Sequence, residues 1–267
     1  MTFRVVAEYP HDQDAFTQGL EHDLVCDEQK TCTDVFWEST GMYGRSTVRK
    51  VSVSDGALLE RHDLPRASFG EGITRMSDTL YQITWMKPDG FMYSTKGLAP
   101  LGTFKTELKD GWGLANDGRY LLATDSGHNV YYIDPQDGFK TVKTVVVKSM
   151  GSPLAWINEL EFVNSTLLAN VWQTECIARI DLTSGHVTHW YLMHGLRGTL
   201  AARPSTKPQI DVLNGIAWDA RRSRLFVTGK YWPTVFEVEL VEFEAGHAPS
   251  MDEVTRKVMD TSQASPV

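Results

Sequence analysis

The sequence predicts an all-β fold, a five-bladed β-propeller with four-stranded antiparallel blades, and three observations predict it. Helical periodicity is nearly absent: the segments are short, rich in Val, Thr, Tyr, Trp and Phe, and bounded by Gly, Asp, Asn and Pro turns. A small anchor recurs, a polar or aromatic residue followed usually by Gly and then by Leu or Ile. Its middle residues are 19, 72, 113, 159 and 215, giving intervals of 53, 41, 46 and 56 residues, the size of a propeller blade. Finally, the fifth unit supplies three strands where most others show four, and the chain opens with a strand that has no unit of its own.

Residues 3–9 are that opening strand, and adding it to blade five as the outer strand closes the ring and removes unpaired edges. Blade one runs from Gln18-Gly19-Leu20 through strands at 35–39, 47–51 and 57–60, the last two joined at Asp55-Gly56. Blade two begins at Glu71-Gly72-Ile73 and continues at 80–85. Blade three begins at Trp112-Gly113-Leu114, with strands at 121–125, 130–134 and 140–147. Blade four begins at Asn158-Glu159-Leu160, with strands at 167–172, 176–181 and 186–192. Blade five, from Asn214-Gly215-Ile216, supplies strands at 215–219, 225–230 and 235–240. Residues 1–246 are thus expected to form one domain. In the polar tail, 247–267, Ser250-Met251-Asp252-Glu253 has capping-box spacing for a short helix, with fraying expected beyond Thr261. The stretch from His194 to Val212 is long for a link between blades and is expected beside the channel mouth; a disordered insertion is the alternative. A β-sandwich competes with the propeller but gives no reason for five repeats in one register.

Composition sets bounds on function. With 267 residues, the chain can bury roughly three-quarters of its unfolded surface. Its 26 Lys and Arg against 34 Asp and Glu give a net charge of −8, which argues against gripping nucleic acid. No apolar run approaches the roughly 20 residues of a membrane helix. Cys26 and Cys32 sit in a polar hairpin loop and, with no His pair beside them, make a poor zinc site; a loop disulfide or two free thiols are the open readings. Cys176 reads as a small buried hydrophobe. The sequon Asn164-Ser165-Thr166 agrees with export, and no signal peptide precedes Thr2, so the chain reads either as a trimmed secretory protein or as an intracellular one. The secretory pathway or the extracellular space is the expected location, and a monomer the expected state.

The repeat also defines a site. In a propeller the first strand of each blade lies nearest the axis, so its leading residue faces one mouth of the channel. Those positions hold Gln18, Glu71, Trp112, Asn158 and Asn214. Four different groups at five equivalent places point to ligand binding; the alternative is that they hydrogen-bond one another and plug the channel. A second layer, at the ends of the second strands, holds Trp85, Trp172 and Lys230, with Thr40 and Ser126 in the other two blades. An indole at a strand end beside a polar mouth makes a binding wall, and a Lys among aromatics, as in Thr228-Gly229-Lys230-Tyr231-Trp232-Pro233, is placed for a shifted pKa. His186, His189 and His194 read as surface residues. Glu71, Asn158, Asn214 and Asp125 could together offer an oxygen cage to Ca²⁺, and a structural Ca²⁺ or Zn²⁺ in the central channel is compatible with the pattern. A serine-hydrolase elbow, a phosphate loop and a dinucleotide fingerprint are all missing.

Phe16-Thr17-Gln18-Gly19-Leu20, Phe69-Gly70-Glu71-Gly72-Ile73, Gly111-Trp112-Gly113-Leu114, Asn158-Glu159-Leu160-Glu161, Asn170-Val171-Trp172 and Asn214-Gly215-Ile216-Ala217-Trp218 carry a family likeness. So do the segment from Glu38 to Ser46 and the run ending at Pro233. From about Phe3 to Leu240 the sequence resembles the plant-type, papaya-type glutaminyl cyclases. The resemblance implies an acyltransferase that converts an N-terminal glutamine of peptides or proteins to pyroglutamate and releases ammonia, with no cofactor required. It implies functional roles for Phe16, Gln18, Phe69, Glu71, Trp85, Trp112, Asn158, Trp172 and Lys230. Glu71 would move the proton, Lys230 would steady the carboxamide oxygen, Asn158 and Gln18 would orient the substrate, and the aromatic residues would wall the pocket. Two other classes remain in view: a Ca²⁺-dependent propeller lactonase or hydrolase, and a non-catalytic interaction propeller.

Overall fold

A computed structural model describes residues 1–244 and 246–263 of the chain. Strand β1 (Thr2–Pro10) precedes blade one, which comprises β2 (Thr17–Cys26), β3 (Cys32–Thr40), β4 (Thr47–Ser52) and β5 (Leu58–Asp63). Blade two is β6 (Gly70–Met76), β7 (Thr79–Thr84), β8 (Asp89–Ser94) and β9 (Pro100–Lys105). Blade three is β10 (Leu114–Asn116), β11 (Leu121–Thr124), β12 (Asn129–Asp134) and β13 (Lys140–Val146). A small hairpin, β14 (Lys148–Ser149) and β15 (Ser152–Pro153), leads into blade four: β16 (Ile157–Val163), β17 (Thr166–Val171), β18 (Cys176–Ile180) and β19 (Val187–Leu192). Helix α1 (Leu196–Ala201) precedes blade five, β20 (Leu213–Asp219), β21 (Arg224–Gly229) and β22 (Thr234–Val241), and α2 (Met251–Gln263) follows it.

Each blade is a four-stranded sheet, and blade five takes β1 as its outer strand in the order β1-β22-β21-β20. The pairing runs antiparallel from Thr2 opposite Val241 to Pro10 opposite Thr234, with one irregularity between Val5 and Ala7. Closure is reinforced by side chains: Phe3 packs on the core of blades four and five, and the Tyr9 hydroxyl donates to Glu237 at 2.8 Å. Removing residues 1–9 should therefore lower Tm by about 5–10 °C, since each kcal/mol lost shifts a domain of this size by roughly 2–4 °C. A truncated protein melting within a degree or two of the full chain would show that β1 does not close the ring.

The anchor glycines turn out to be packing residues. Strands β2, β6, β10, β16 and β20 adjoin one another around the axis. A Cβ on Gly19 would lie 2.6 Å from the backbone N of Ile73, one on Gly72 2.3 Å from that of Leu114, and one on Gly113 1.9 Å from the carbonyl of Asn158. No side chain fits between these strands. Blade four breaks the pattern with Glu159, whose fully buried carboxylate accepts the Leu20 N–H at 3.1 Å and the Ile216 N–H at 2.8 Å. One side chain thus ties the inner strands of blades one, four and five.

Two residues further along these strands the channel opens to the opposite face, in a cavity of about 260 Å³ lined by Glu21, Thr74, Arg75 and Glu161 among others. Burial raises the Glu21 carboxyl to about 7, only partly countered by the Thr74 hydroxyl and the Arg75 N–H that donate to it. Because its folded pKa lies above the ordinary value of 4.5, the folded state binds more protons between those limits. Stability therefore falls as pH rises through that window. Glu21→Gln, which keeps an acceptor for Thr74, should raise Tm by a few degrees at pH 8 and by much less at pH 5. Equal melting shifts at both pH values would contradict this.

Two features were not anticipated. The hairpin β14–β15 is too short to show a pattern. Helix α1 has only six residues, starts from Gly195 with no side-chain cap, and is held by the buried Leu196 and Leu200. It orders the 194–212 connection, which ties back to the N-terminal segment through Arg203–Glu8 and Lys207–Asp14 ion pairs. Helix α2 starts as the spacing predicts, with the Ser250 hydroxyl accepting the Glu253 N–H at 3.1 Å. It buries Val254 and Val258 in the core of blades three and four. The helix continues to Gln263, past the point where fraying was expected, and residues 264–267 lie outside the described residues. Cys26 and Cys32 are disulfide-bonded across the β2–β3 hairpin, and Cys176 is buried and free.

Candidate active site

A cavity of about 390 Å³ opens where the inner strands begin. Phe16, Gln18, Phe69, Glu71, Trp85, Trp112, Asn158, Trp172 and Lys230, the residues singled out in the sequence, all line it. Their convergence follows from the blade repeat. Gln18, Glu71, Trp112 and Asn158 lead into or begin the inner strands, while Trp85, Trp172 and Lys230 leave the ends of β7, β17 and β21.

The walls are aromatic on two sides. Phe69 stands edge-on to both Phe16 and Trp85, with ring centroids 6.0 and 5.5 Å apart. Opposite, Trp112, Trp156 and Trp172 form a triad at 5.2 to 5.6 Å. Between these walls sit two ionisable groups that are almost wholly buried, Glu71 at 4% exposure and Lys230 at 3%. Among the described residues no direct ion pair joins them, yet each feels the other's charge. Burial pushes the Glu71 carboxyl well above the usual carboxylate range; Lys230 pulls it back and Asp110 pushes it further. Burial lowers the Lys230 ammonium, and the charges of Glu71 and Asp211 oppose that. The ammonium also stands 4.6 Å from the Phe16 ring centroid.

Glu71 is held by a relay. Gln18 donates its amide N–H to Glu71 Oε1 at 2.8 Å, and its own amide oxygen accepts from Asn214 Nδ2 at 3.3 Å. Asn214 also donates to the Thr17 carbonyl at 2.9 Å and is fully buried. So Asn214, expected at the mouth, is not among the residues lining the cavity: its Nδ2 is committed to Gln18 and Thr17, while its own Oδ1 has no protein partner among the described residues. Across the cavity, the buried Asn158 amide oxygen has no protein partner among the described residues, an unusual state for a buried acceptor and one that suits a ligand donor. Thr40 is likewise outside the cavity: its hydroxyl pairs with that of Thr47 at 2.6 Å inside blade one.

The oxygen cage considered for Ca²⁺ does not assemble. Asp125 lines a neighbouring cavity of blade three and accepts the Tyr131 hydroxyl at 2.7 Å, and Asn214, although its Oδ1 has no protein partner among the described residues, does not line this cavity. Among the described residues, His22, Asp34 and Asp219 come close enough to share a metal ion, but they lie away from this cavity, and Arg222 and Arg224 already pair with the two carboxylates.

Residues absent from the sequence reading also line the site. Trp156 and Met86 adopt left-handed backbone conformations, at φ 64° and 55°, that no spacing rule reveals. Asp110 accepts the Trp112 indole N–H at 3.0 Å. Asp211, at the end of the 194–212 connection, lines the cavity, and its backbone pairs with that of Lys230. A further network lies behind blade one. Fully buried Glu38 receives hydrogen bonds from Thr17, His11 and Arg49, and the Arg49 and His11 charges hold it well below the usual range against the burial cost.

Fold and site together define a five-bladed propeller with a buried carboxyl and a buried ammonium at one channel mouth. The family model for glutamine cyclotransferase matches residues 1–240. The chain is 43% identical over 242 residues to a glutaminyl-peptide cyclotransferase of Arabidopsis thaliana, covering 90% of this chain and 72% of the relative. The crystal structure of Myxococcus xanthus glutaminyl cyclase superposes with a TM-score of 0.78 at 33% identity, covering 90% of this chain and 98% of that one. The chain belongs to the glutamine cyclotransferase family.

Proposed function

We propose that this cavity holds the N-terminal glutamine of a peptide or protein and closes it to pyroglutamate, with Glu71 moving the proton and Lys230 steadying the oxygen. The chain is a glutaminyl-peptide cyclotransferase. The observation that carries the assignment of roles is a buried carboxyl and a buried ammonium facing one small aromatic cavity without pairing directly. A pair left apart in so dry a place has a task for each partner.

The α-amine nitrogen of the substrate attacks its own side-chain carboxamide carbon, so the reacting groups are already on one molecule. The enzyme must hold a folded conformer and manage one proton. The amine must be neutral to attack, a modest demand given its ordinary pKa of about 7.7–8.0. As the new C–N bond forms, the amine proton passes to Glu71, and the carbonyl oxygen takes up negative charge beside Lys230. Glu71 then returns the proton to the carboxamide nitrogen. The old C–N bond breaks, and ammonia leaves. A carboxyl whose pKa is raised well above the usual carboxylate range can make both transfers, which an ordinary one does poorly. Asn158, through its free amide oxygen, would receive an N–H of the substrate, and Gln18 would keep Glu71 in line. The indole triad and the two phenylalanine rings would enclose the methylenes.

No step in this scheme passes through a metal. Incubation with a Gln-initiated peptide should give a mass loss of one ammonia, at the same rate with and without EDTA. Unchanged peptide mass would remove the reading, and loss of activity in EDTA would remove its metal independence. The Cys26–Cys32 disulfide and the exposed Asn164 of the sequon support a protein that matures in the secretory pathway and carries a glycan there; a glycan-free Asn164 in protein secreted from eukaryotic cells would remove the second part. Closure of the ring by β1 on β22 supports a monomer.

A further inference from the structure

The rim of the cavity is not uniform. On one side it carries Asp110, Asp211, Ser126 and Gln173. On the other side apolar surface continues outward into solvent. Trp85 and Met86 line the cavity, Met86 at 59% exposure, and Tyr43, 52% exposed, stands 5.4 Å from the Phe69 ring and 6.4 Å from the Trp85 ring. This arrangement is built in. Gly41 leaves room for Phe69, since a Cβ there would lie 2.2 Å from its ring, and left-handed conformations at Met42 and Met86 turn the chain at both edges of the shelf. Large exposed apolar side chains grouped in one place commonly mark a contact surface. Here the group is continuous with the inner wall through Phe69 and Trp85.

We propose that Tyr43, Trp85 and Met86 form a subsite for the side chain of the second residue of the substrate, and that this subsite favours large apolar side chains. The inference rests on the cyclisation reading above. With the glutamine side chain inside and its amine at Glu71, the peptide bond to residue two must leave through the rim. The polar rim sets two carboxylates, a hydroxyl and an amide beside the exit, whereas the shelf offers two ring faces and a thioether. Tyr43 touches none of the reacting groups, so it serves specificity alone.

The test compares two substrates, the amides of Gln-Leu and Gln-Gly, on the wild type, Tyr43→Ala and Tyr43→Phe. The wild type should prefer Gln-Leu amide in kcat/KM by about tenfold, the usual scale for one apolar contact. Tyr43→Ala should lose most of that preference through a higher KM for Gln-Leu amide, with Gln-Gly amide unchanged, and Tyr43→Phe should keep it. Equal turnover of both amides by the wild type would overturn the subsite alone, as would an equal fall for both in Tyr43→Ala. Cyclisation of neither amide by the wild type would overturn the reaction assignment and the subsite with it.

Discussion

Glu71→Gln should lower kcat by about 10²–10⁴, the usual worth of a positioned acid–base group. The variant keeps the size of the side chain and, through its amide oxygen, the acceptor that Gln18 Nε2 reaches at 2.8 Å in the wild type. It cannot exchange a proton. Binding of a product-like lactam should therefore stay within several-fold, so the loss falls on kcat. The pH profile gives a second readout. In the wild type Glu71 must be ionised to accept the amine proton, and burial, with Asp110, raises its pKa well above the ordinary 4.5 while Lys230 limits the rise. The rate should thus climb with pH through a limb lying above the usual carboxylate range. In the glutamine variant that limb should vanish, leaving only the ionisation of the substrate amine. A variant with near wild-type kcat would falsify the role given to Glu71. Asp110 would then be the carboxylate to test, since it lines the same cavity, whereas Asp125 opens onto the neighbouring one.

The fold was legible because its determinants are local and repeated. Five anchors in one register, and a lone first strand opposite a three-stranded last unit, leave one economical closure, and β1 lies on β22 accordingly. Most of the cavity residues were legible for the same reason, since equivalent positions in a closed ring converge, whereas Phe16 and Phe69 were named only through the family resemblance. What the sequence could not show depends on which way a side chain turns. Asn214 occupies the same repeat position as Glu71, yet its Nδ2 is committed to Thr17 and Gln18 and it does not line the cavity. Glu159 reads as an imperfect anchor, although its carboxylate bridges two neighbouring inner strands. Trp156 and Asp211 reach the site from connections whose course depends on left-handed residues and on the contacts of α1, and neither has a period to read.

Lys230→Ala should lower kcat by about 10²–10³, the loss typical of removing one donor from a developing oxyanion. The case rests on where the ammonium is held. Its backbone pairs with that of Asp211 and Val212, fixing the end of β21, and the side chain is nearly wholly buried beside Phe16. There a charge is costly unless neighbours compensate, and Glu71 and Asp211 do so from a distance. Removing the lysine also removes a charge that holds the Glu71 pKa down. The acidic limb of the alanine variant should therefore move to higher pH, a shift that mere loss of packing would not produce. Lys230→Arg should restore little activity, because a planar, forked group does not replace a compact ammonium in a site this closed. Unaltered kcat in Lys230→Ala would remove the oxyanion role. A fall in kcat with the limb unmoved would show that Lys230 and Glu71 act without feeling each other's charge.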